Sequence, residues 1–580
     1  GTIGFSGASS AEGQPRAALI GVDSGSTLTV SGVITGSIAT GGSGRGNWIG
    51  LTGSGTGTIS TAMTYTGDLS FGTFSLAKFG SGTWNLTAAN LFPGQTVYAG
   101  QGVLSINGSG SLGVPGANGG TGTVFVTPGG TLRLDNSVSN LNDRLSGRAI
   151  NLYGGAMDLV GSGVGPTSET SGALTLNPGQ SIVTVSAGVG QRADLIVGPV
   201  TRAGGGTVLF RGSNLGLAAG ADVATISASG AGLVAIGQNG AVGTANKGIL
   251  PYALVSNSVG GTGSSFATVD SVNGIIRSLS AAEVSNTLTN NLAGVATPMN
   301  ILLASGTSTL SGSITGGSMV INSLTLGSSG GGISMQSSQM LVLDSGGLLA
   351  FSGNGGISGG RLSTSSNREM IVHSVGNLTL NSALAGFTNG LTTAGAGTLT
   401  LGRQNFFTGA TRVNEGSLKL AGGSNTLFYT TELFLQGGNI DLNGTVQSLQ
   451  RIRTETVAAQ SANLIPGTGG NVINSSGTQA TLGLVNGGVS FSGSIQGDIA
   501  LARTTTSGSF SDWNLYAPQT YSGPTLFNGG RVQLLGTASL ASTSSIELNQ
   551  STLLITNNNS TSALDVNLND RINDSAPILM

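Results

Sequence analysis

Short runs in which polar and apolar residues strictly alternate recur along this chain. Thr398-Leu399-Thr400-Leu401, Ser417-Leu418-Lys419-Leu420, Glu432-Leu433-Phe434-Leu435 and Asn439-Ile440-Asp441-Leu442 are examples. A period of two sends successive side chains to opposite faces of an extended backbone, so each run predicts a β-strand with one face turned to a core. Between the runs stand clusters such as Gly437-Gly438 and Gly529-Gly530, which accept the left-handed backbone that tight turns require. Helical periodicity is nearly absent. The stretch Ser280 to Asn290 is the best candidate for a short helix.

One phrase occurs three times: a strand ending in Leu, eight residues to a Gly, then a second Gly just before another alternating strand. The first copy runs Gly82-Thr83-Trp84-Asn85-Leu86, Asn90-Leu91-Phe92-Pro93-Gly94 and Gly102-Val103-Leu104-Ser105-Ile106. The second runs Gly397-Thr398-Leu399-Thr400-Leu401, Asn405-Phe406-Phe407-Thr408-Gly409 and Gly416-Ser417-Leu418-Lys419-Leu420. The third opens on Ser511 and continues through Trp513-Asn514-Leu515, Gln519-Thr520-Tyr521-Ser522-Gly523 and Gly530-Arg531-Val532-Gln533-Leu534. Trp84 and Trp513 thus align with Leu399, Leu86 and Leu515 with Leu401, Phe92 and Tyr521 with Phe407, and Gly94 and Gly523 with Gly409. These residues form the candidate structural site. A position that accepts Phe, Phe and Tyr reads as an interior ladder of rings, each burying about 150 to 250 Å². A sugar-stacking platform is the alternative, with Trp48, outside the phrase, as the best exposed aromatic.

The spacing of the strands points to an architecture. Thr398 to Ser417 is 19 residues and Ser417 to Asn439 is 22, while Thr83 to Val103 to Thr131 to Ala156 takes steps of 20, 28 and 25. Such steps are typical of a stacked supersecondary unit with loops of variable length. Each coil then sets its strands above those of the preceding coil, in parallel and ~4.8 Å apart, so ~25 coils would make a rod of order 120 Å. The rival, an antiparallel sandwich array, has strands at intervals of about 8 to 12 residues, which suits the alternation of short and long gaps less well. Three regions are expected: coils with the first phrase over 1–185, irregular coils or an inserted β-subdomain over 186–300, and coils with the other two phrases over 301–580. After Arg571 the chain runs only to Met580, whereas after Arg144 two further strands follow, so the last unit reads as unfinished. More chain or a neighbouring subunit is expected to cover such an end.

Composition narrows the class. Gly supplies 102 of 580 residues and charged residues only 8%, against the roughly 25% of ordinary soluble domains. Disorder would require low hydrophobicity and high net charge, and here the hydrophobic share is 38% and the formal charge −2. No apolar run approaches the ~18 residues of a membrane helix. Near-neutral charge, thinly spread, makes nucleic acid and anionic membrane poor partners. There is no cysteine, which removes disulfides, thiolate metal sites and thiol nucleophiles, and which is compatible with an oxidising compartment.

Catalytic chemistry is sparse. One histidine, His373, and no cysteine leave no triad and no His-rich metal site within the chain. Carboxylates remain, and glycan-cleaving β-helices use acids about 5 to 10 Å apart across a sugar bond. The 23 acids are mostly isolated in sequence, as at Asp135, Asp158, Asp344, Glu432, Asp441 and Glu547, and read as solvated outer-face residues. Asp570 and Asp574 read as turn or capping residues. The run Gly41-Gly42-Ser43-Gly44-Arg45-Gly46 lacks the Gly-Lys-Ser/Thr of a phosphate loop, and no Asp-rich calcium loop is present. The sequence therefore assigns no catalytic, cofactor-binding or metal-ligating residue. Three lysines, Lys78, Lys247 and Lys419, give little charge to protect strand edges, which suits a protein that associates with itself.

The phrase at 397–420 resembles the passenger-associated transport repeat, also called the autotransporter-associated β-strand repeat. Its flanks are similar too: Ser366-Asn367-Arg368-Glu369 before Gly376-Asn377-Leu378-Thr379-Leu380, and Leu141-Asn142-Asp143-Arg144 echoed by Leu568-Asn569-Asp570-Arg571. The resemblance covers about 25 residues per copy. It implies an all-β, right-handed parallel β-helix, secreted by or displayed on a bacterium, and it implies no chemistry. A complete autotransporter also carries a C-terminal barrel, which this chain lacks. The resulting expectation is a non-enzymatic extracellular structural solenoid, a stalk or a fibre subunit associating end to end or laterally. An adhesin binding glycans or neighbouring cells, and a β-helix polysaccharide lyase or glycosidase, are the alternatives.

Overall fold

A computed structural model of the protein describes residues 3–7, 17–38, 47–65, 74–90, 96–113, 122–229, 233–238, 240–270, 274–288, 298–309, 318–455, 469–486, 488–505, 512–556 and 569–580. It is a β-solenoid of about 18 turns, with 52% of residues in strands and 1% in helix. The chain divides into two compact units, residues 1–235 with 253–278, and residues 236–252 with 279–580.

In the first unit each coil crosses up to three parallel sheets. One is built from eight strands, Ala17–Val22 to Val200–Arg202, and a longer one from Thr27–Val30 to Leu250–Ser256, of which residues 253–256 fall in this unit, followed by the pair Ser265–Val269 and Ile276–Ser278. The steps read from the alternation are the observed register: Val103 pairs Thr83 and Thr131, and Thr131 pairs Ala156. The pairing turns antiparallel between Ser265–Val269 and Ile276–Ser278. The expected helix is a single 3-10 turn, Ala281–Glu283, in which the Glu283 carboxylate accepts the Ser280 N–H at 2.9 Å. Such a short segment without an apolar stripe has nothing to hold a longer helix together.

In the second unit Thr398 pairs Ser417, Ser417 pairs Asn439, and the alternate strands Thr411–Val413, Glu432–Leu435 and Arg451–Arg453 stack likewise. Inward residues form one apolar core from Ile301 to Ile546. Segment 236–252 belongs to this unit and is pinned on it by side chains: Gln238 Nε2 donates to Asp344 Oδ2 at 2.8 Å, and Asn300 Nδ2 to the Lys247 carbonyl at 2.8 Å. The number of turns is smaller than ~25 because the coils are longer than the tight steps around Thr398: the excursions from Asn439 to Asn471 and from Arg211 to Ser256 each count as one step.

Candidate functional site

Most repeated residues of the phrase line the inside of the wall. Trp84, Leu86, Leu399, Leu401, Trp513 and Leu515 are all buried, at alternate positions of strands whose other residues are half-exposed. Trp84 has room because its partner on the preceding coil is Gly57, where a side chain would overlap the indole. The indole N–H donates to the Thr52 carbonyl at 3.0 Å. Phe407 and Tyr521 are buried as well. Phe407 stacks on Phe387 of the preceding coil, with ring centroids 5.2 Å apart and planes 4° from parallel. Tyr521 makes a hydroxyl chain instead, its Oη 2.6 Å from Thr525 Oγ1, which lies 2.8 Å from Thr543 Oγ1. The stacking partner thus comes from outside the phrase. Phe92, Gly94, Ser511, Leu568, the run Gly41 to Gly46 and Asn557 to Asn559 lie outside the described residues, as does the side chain of Trp48.

The residue that opens each pentad, quoted in the phrase but given no role by sequence reasoning, is a buried amide. Asn405 Oδ1 accepts the Leu384 N–H at 2.9 Å, and its Nδ2 donates to the carbonyls of Arg403 at 2.8 Å and Thr426 at 3.0 Å. Asn90 does the same with the Met63 N–H at 3.1 Å and the carbonyls of Ala88 at 2.8 Å and Ser111 at 3.1 Å. Gln519 accepts the Ile495 N–H at 2.8 Å and donates to Ala517 and Gly493. One side chain therefore staples a corner to its neighbouring coils and leaves no orphaned main-chain group there. The signal was in the sequence: an amide at one position of all three copies.

The first glycine of the phrase is explained by close approach in the second and third copies. At Gly409 a Cβ would overlap main-chain atoms of Gly390 and Thr388, and at Gly523 the Ile499 carbonyl. The later glycines, Gly102, Gly416 and Gly530, have φ of 62°, 66° and 70°, in the left-handed region.

Several of the cations are also drawn into the wall. Lys78 is buried and its ammonium donates to the carbonyls of Phe79 at 2.9 Å, Gly80 at 2.6 Å and Gln101 at 2.9 Å. Burial lowers its pKa to about 8. It is no edge charge. The Asn-Asp-Arg motif has the same use in both copies. Asp143 and Asp570 take φ of 54° and 55°, and the arginine that follows turns inward. Arg144 donates to the carbonyls of Gly108, Gly110 and Ser139 and to Asn136 Oδ1; Arg571 donates to Gly536, Ala538 and Thr556. Arg148 serves Leu112 and Gly122 in the same way, and burial lowers its pKa to about 10. Glu169, fully buried, accepts the main-chain N–H groups of Arg144 at 2.8 Å and Leu145 at 2.9 Å. Desolvation outweighs those bonds and pushes its carboxyl up to about 7.

On the outer face, Arg412 and Arg453 flank the Phe434 ring from the coils on either side, with guanidinium carbons 4.7 and 5.0 Å from its centroid. Glu432 pairs Arg451 at 2.8 Å and Arg453 at 3.2 Å, and Glu455 pairs Arg453 at 3.2 Å. The other acids hold local contacts: Asp158 with Arg133 at 3.3 Å, Asp344 with Gln238, Glu547 with Asn549 at 2.9 Å, and Asp135 with the Ser137 N–H at 2.9 Å. Asp441 differs from the solvated residue expected: it is almost buried, because Ser475, carried in from the next coil, donates to it at 2.6 Å. Asp570 and Asp574 line a cavity of about 440 Å³ with Ile555, Ile572 and Ile578. His373 is buried in its strand, with Nε2 2.9 Å from the Pro251 carbonyl. Among the described residues no group of three or more His, Cys, Asp and Glu side chains is placed to hold a metal ion. No helix there is long and apolar enough to cross a membrane.

No protein-family model, no curated protein and no solved structure matches the chain.

Proposed function

We propose that the chain is a non-enzymatic structural β-solenoid, displayed outside a bacterial cell as a stalk or as the subunit of a fibre. One observation carries this reading: a set of charged and amide side chains is turned inward onto main-chain carbonyls and N–H groups of the wall. Lys78, Arg144, Arg148, Arg571, Glu169, Asn90, Asn405 and Gln519 are all buried there. A chain that commits its cations and amides to coil-to-coil bonds is built for persistence rather than turnover. The absence of cysteine and the phrase at 397–420, which resembles the autotransporter-associated repeat, support the location. A glycan-binding passenger is the second reading, favoured by the outward row Arg412, Phe434 and Arg453, where guanidinium donors line a sheet face.

The test is electron microscopy of the purified chain at rising concentration, combined with incubation against a panel of polysaccharides. Extended particles that associate and leave every polysaccharide intact are the expected result. Retention on one glycan without product favours the second reading, and new reducing or unsaturated sugar ends would overturn the structural one.

A further inference from the structure

Four successive coils of the first unit each finish a strand of the long sheet and turn a corner, the strand after them turns back on its neighbour in a hairpin, and each of these five turns carries an aliphatic residue. The strands are Gly130–Asp135, Ala156–Val160, Gln180–Ser186, Thr207–Gly212 and Leu250–Ser256, stacked in parallel. The residues are Val138, Val164, Val189, Leu217 and Val259, exposed by 90%, 88%, 88%, 60% and 42%. The corners are tied to one another. Asn140 Nδ2 donates to the Pro166 carbonyl at 3.0 Å, Ser213 Oγ accepts the Ala187 N–H at 3.1 Å, and the Asn214 N–H donates to the Asn257 carbonyl at 2.9 Å. Isolated exposed valines need no explanation. One per turn over five stacked strands is a seam, with tips following the ~4.8 Å rise of the stack. The preceding coil, ending at Ile106, turns through Asn107-Gly108-Ser109-Gly110 and has no such tip.

We propose that this seam is the face on which a second copy of the chain docks laterally. Two features select that occupant. The seam repeats with the coil spacing, and an identical seam has the same period, so the tips of two copies interdigitate along the whole line. The area also fits: five aliphatic tips with the turns that carry them offer roughly 500 Å² per copy, as large as the apolar patch a monomer ordinarily tolerates. Pairing two seams buries about 1,000 Å², the lower limit of a specific interface. Association is therefore concentration-dependent and reversible. Between the tips the corners carry mostly Gly, Ser and Asn; the charges nearest Val189 are Asp222, whose carboxylate accepts the Gly190 N–H at 2.7 Å, and Arg192, which is paired with Asp194 at 3.0 Å. The proposal rests on the scaffold reading and names the surface through which such a scaffold would widen.

The cysteine-free chain makes the test direct. Val189→Cys places a single thiol at the centre of the seam, where both a parallel and an antiparallel pair bring it against its copy. Mild oxidation is expected to give a disulfide-linked dimer much faster than with Thr201→Cys, an exposed site on the Val200–Arg202 strand. The variant with Val138→Asp, Val164→Asp and Val189→Asp is expected to keep its circular dichroism and to sediment as a monomer at concentrations where the unaltered chain dimerises. Equal cross-linking at both thiols, or equal sedimentation of the two proteins, overturns the proposal. So does flotation with neutral phosphatidylcholine vesicles that only the aspartate variant loses, which would assign the seam to lipid. Fibres that form unchanged from the aspartate variant remove the seam and leave the scaffold reading standing; an unaltered chain that never associates removes both.

Discussion

Glu169 shows what a single buried group costs and supplies. Its carboxyl, raised from an ordinary 4.5 to about 7, holds a proton in the folded chain that the unfolded chain gives up. The stability linked to that proton is complete below pH ~4.5 and is lost as pH rises through about 7, up to about 3 kcal/mol in all. Thermal melts of the unaltered protein should therefore fall between pH 5 and 8. Glu169→Gln should melt lower overall, because an amide has one acceptor oxygen for two N–H groups, and its midpoint should be flat over the same range. At Lys78 the loss is simpler. Lys78→Met strands three buried carbonyls, and the urea midpoint is expected to drop by the equivalent of about 2 to 4 kcal/mol. A midpoint within error of the unaltered protein would mean that water replaces the ammonium without cost.

At the scale of the element, the corner of the phrase separates two effects. Asn405→Ala leaves the Leu384 N–H and the Arg403 carbonyl without this partner, while the Thr426 carbonyl keeps the main-chain N–H of residue 405. About 2 to 4 kcal/mol is expected, against about 1 kcal/mol for Phe407→Leu, which keeps most of the ring's volume. Denaturant titration of the two variants checks the order. The strands themselves were legible because alternation and glycine punctuation are local: Thr398, Ser417 and Asn439 stack as their spacing indicates, and so do Thr83, Val103, Thr131 and Ala156. What the alternation could not carry is contact across coils. Phe387 as partner of Phe407, the inward turn of Lys78 and the burial of Asp441 depend on which loop lies above which, and loop lengths vary. The Asn-Asp-Arg echo was visible as a repeat, and its use became clear only once Asp143 and Asp570 were seen in left-handed conformation with the following arginine inside.

At the scale of the molecule, each coil bonds to the coils beside it, so stability is nearly a sum of neighbour terms. A lesion should stay local. After Arg144→Met, hydrogen exchange read by mass spectrometry is expected to lose protection around residues 102–170 and to remain unchanged over 378–442; protection lost throughout both would mean that the stack melts as one. The same inward placement of cations has a consequence for endurance. Trypsin cleaves after lysine and arginine and must draw an extended segment into its own cleft, yet Lys78, Arg144, Arg148, Arg503 and Arg571 sit behind the backbone they serve. Those peptide bonds are presented only when a coil opens, so digestion of the native chain should begin at exposed loops and leave large fragments. Among proteases, the lifetime of such a wall would then be set by how seldom its windings part.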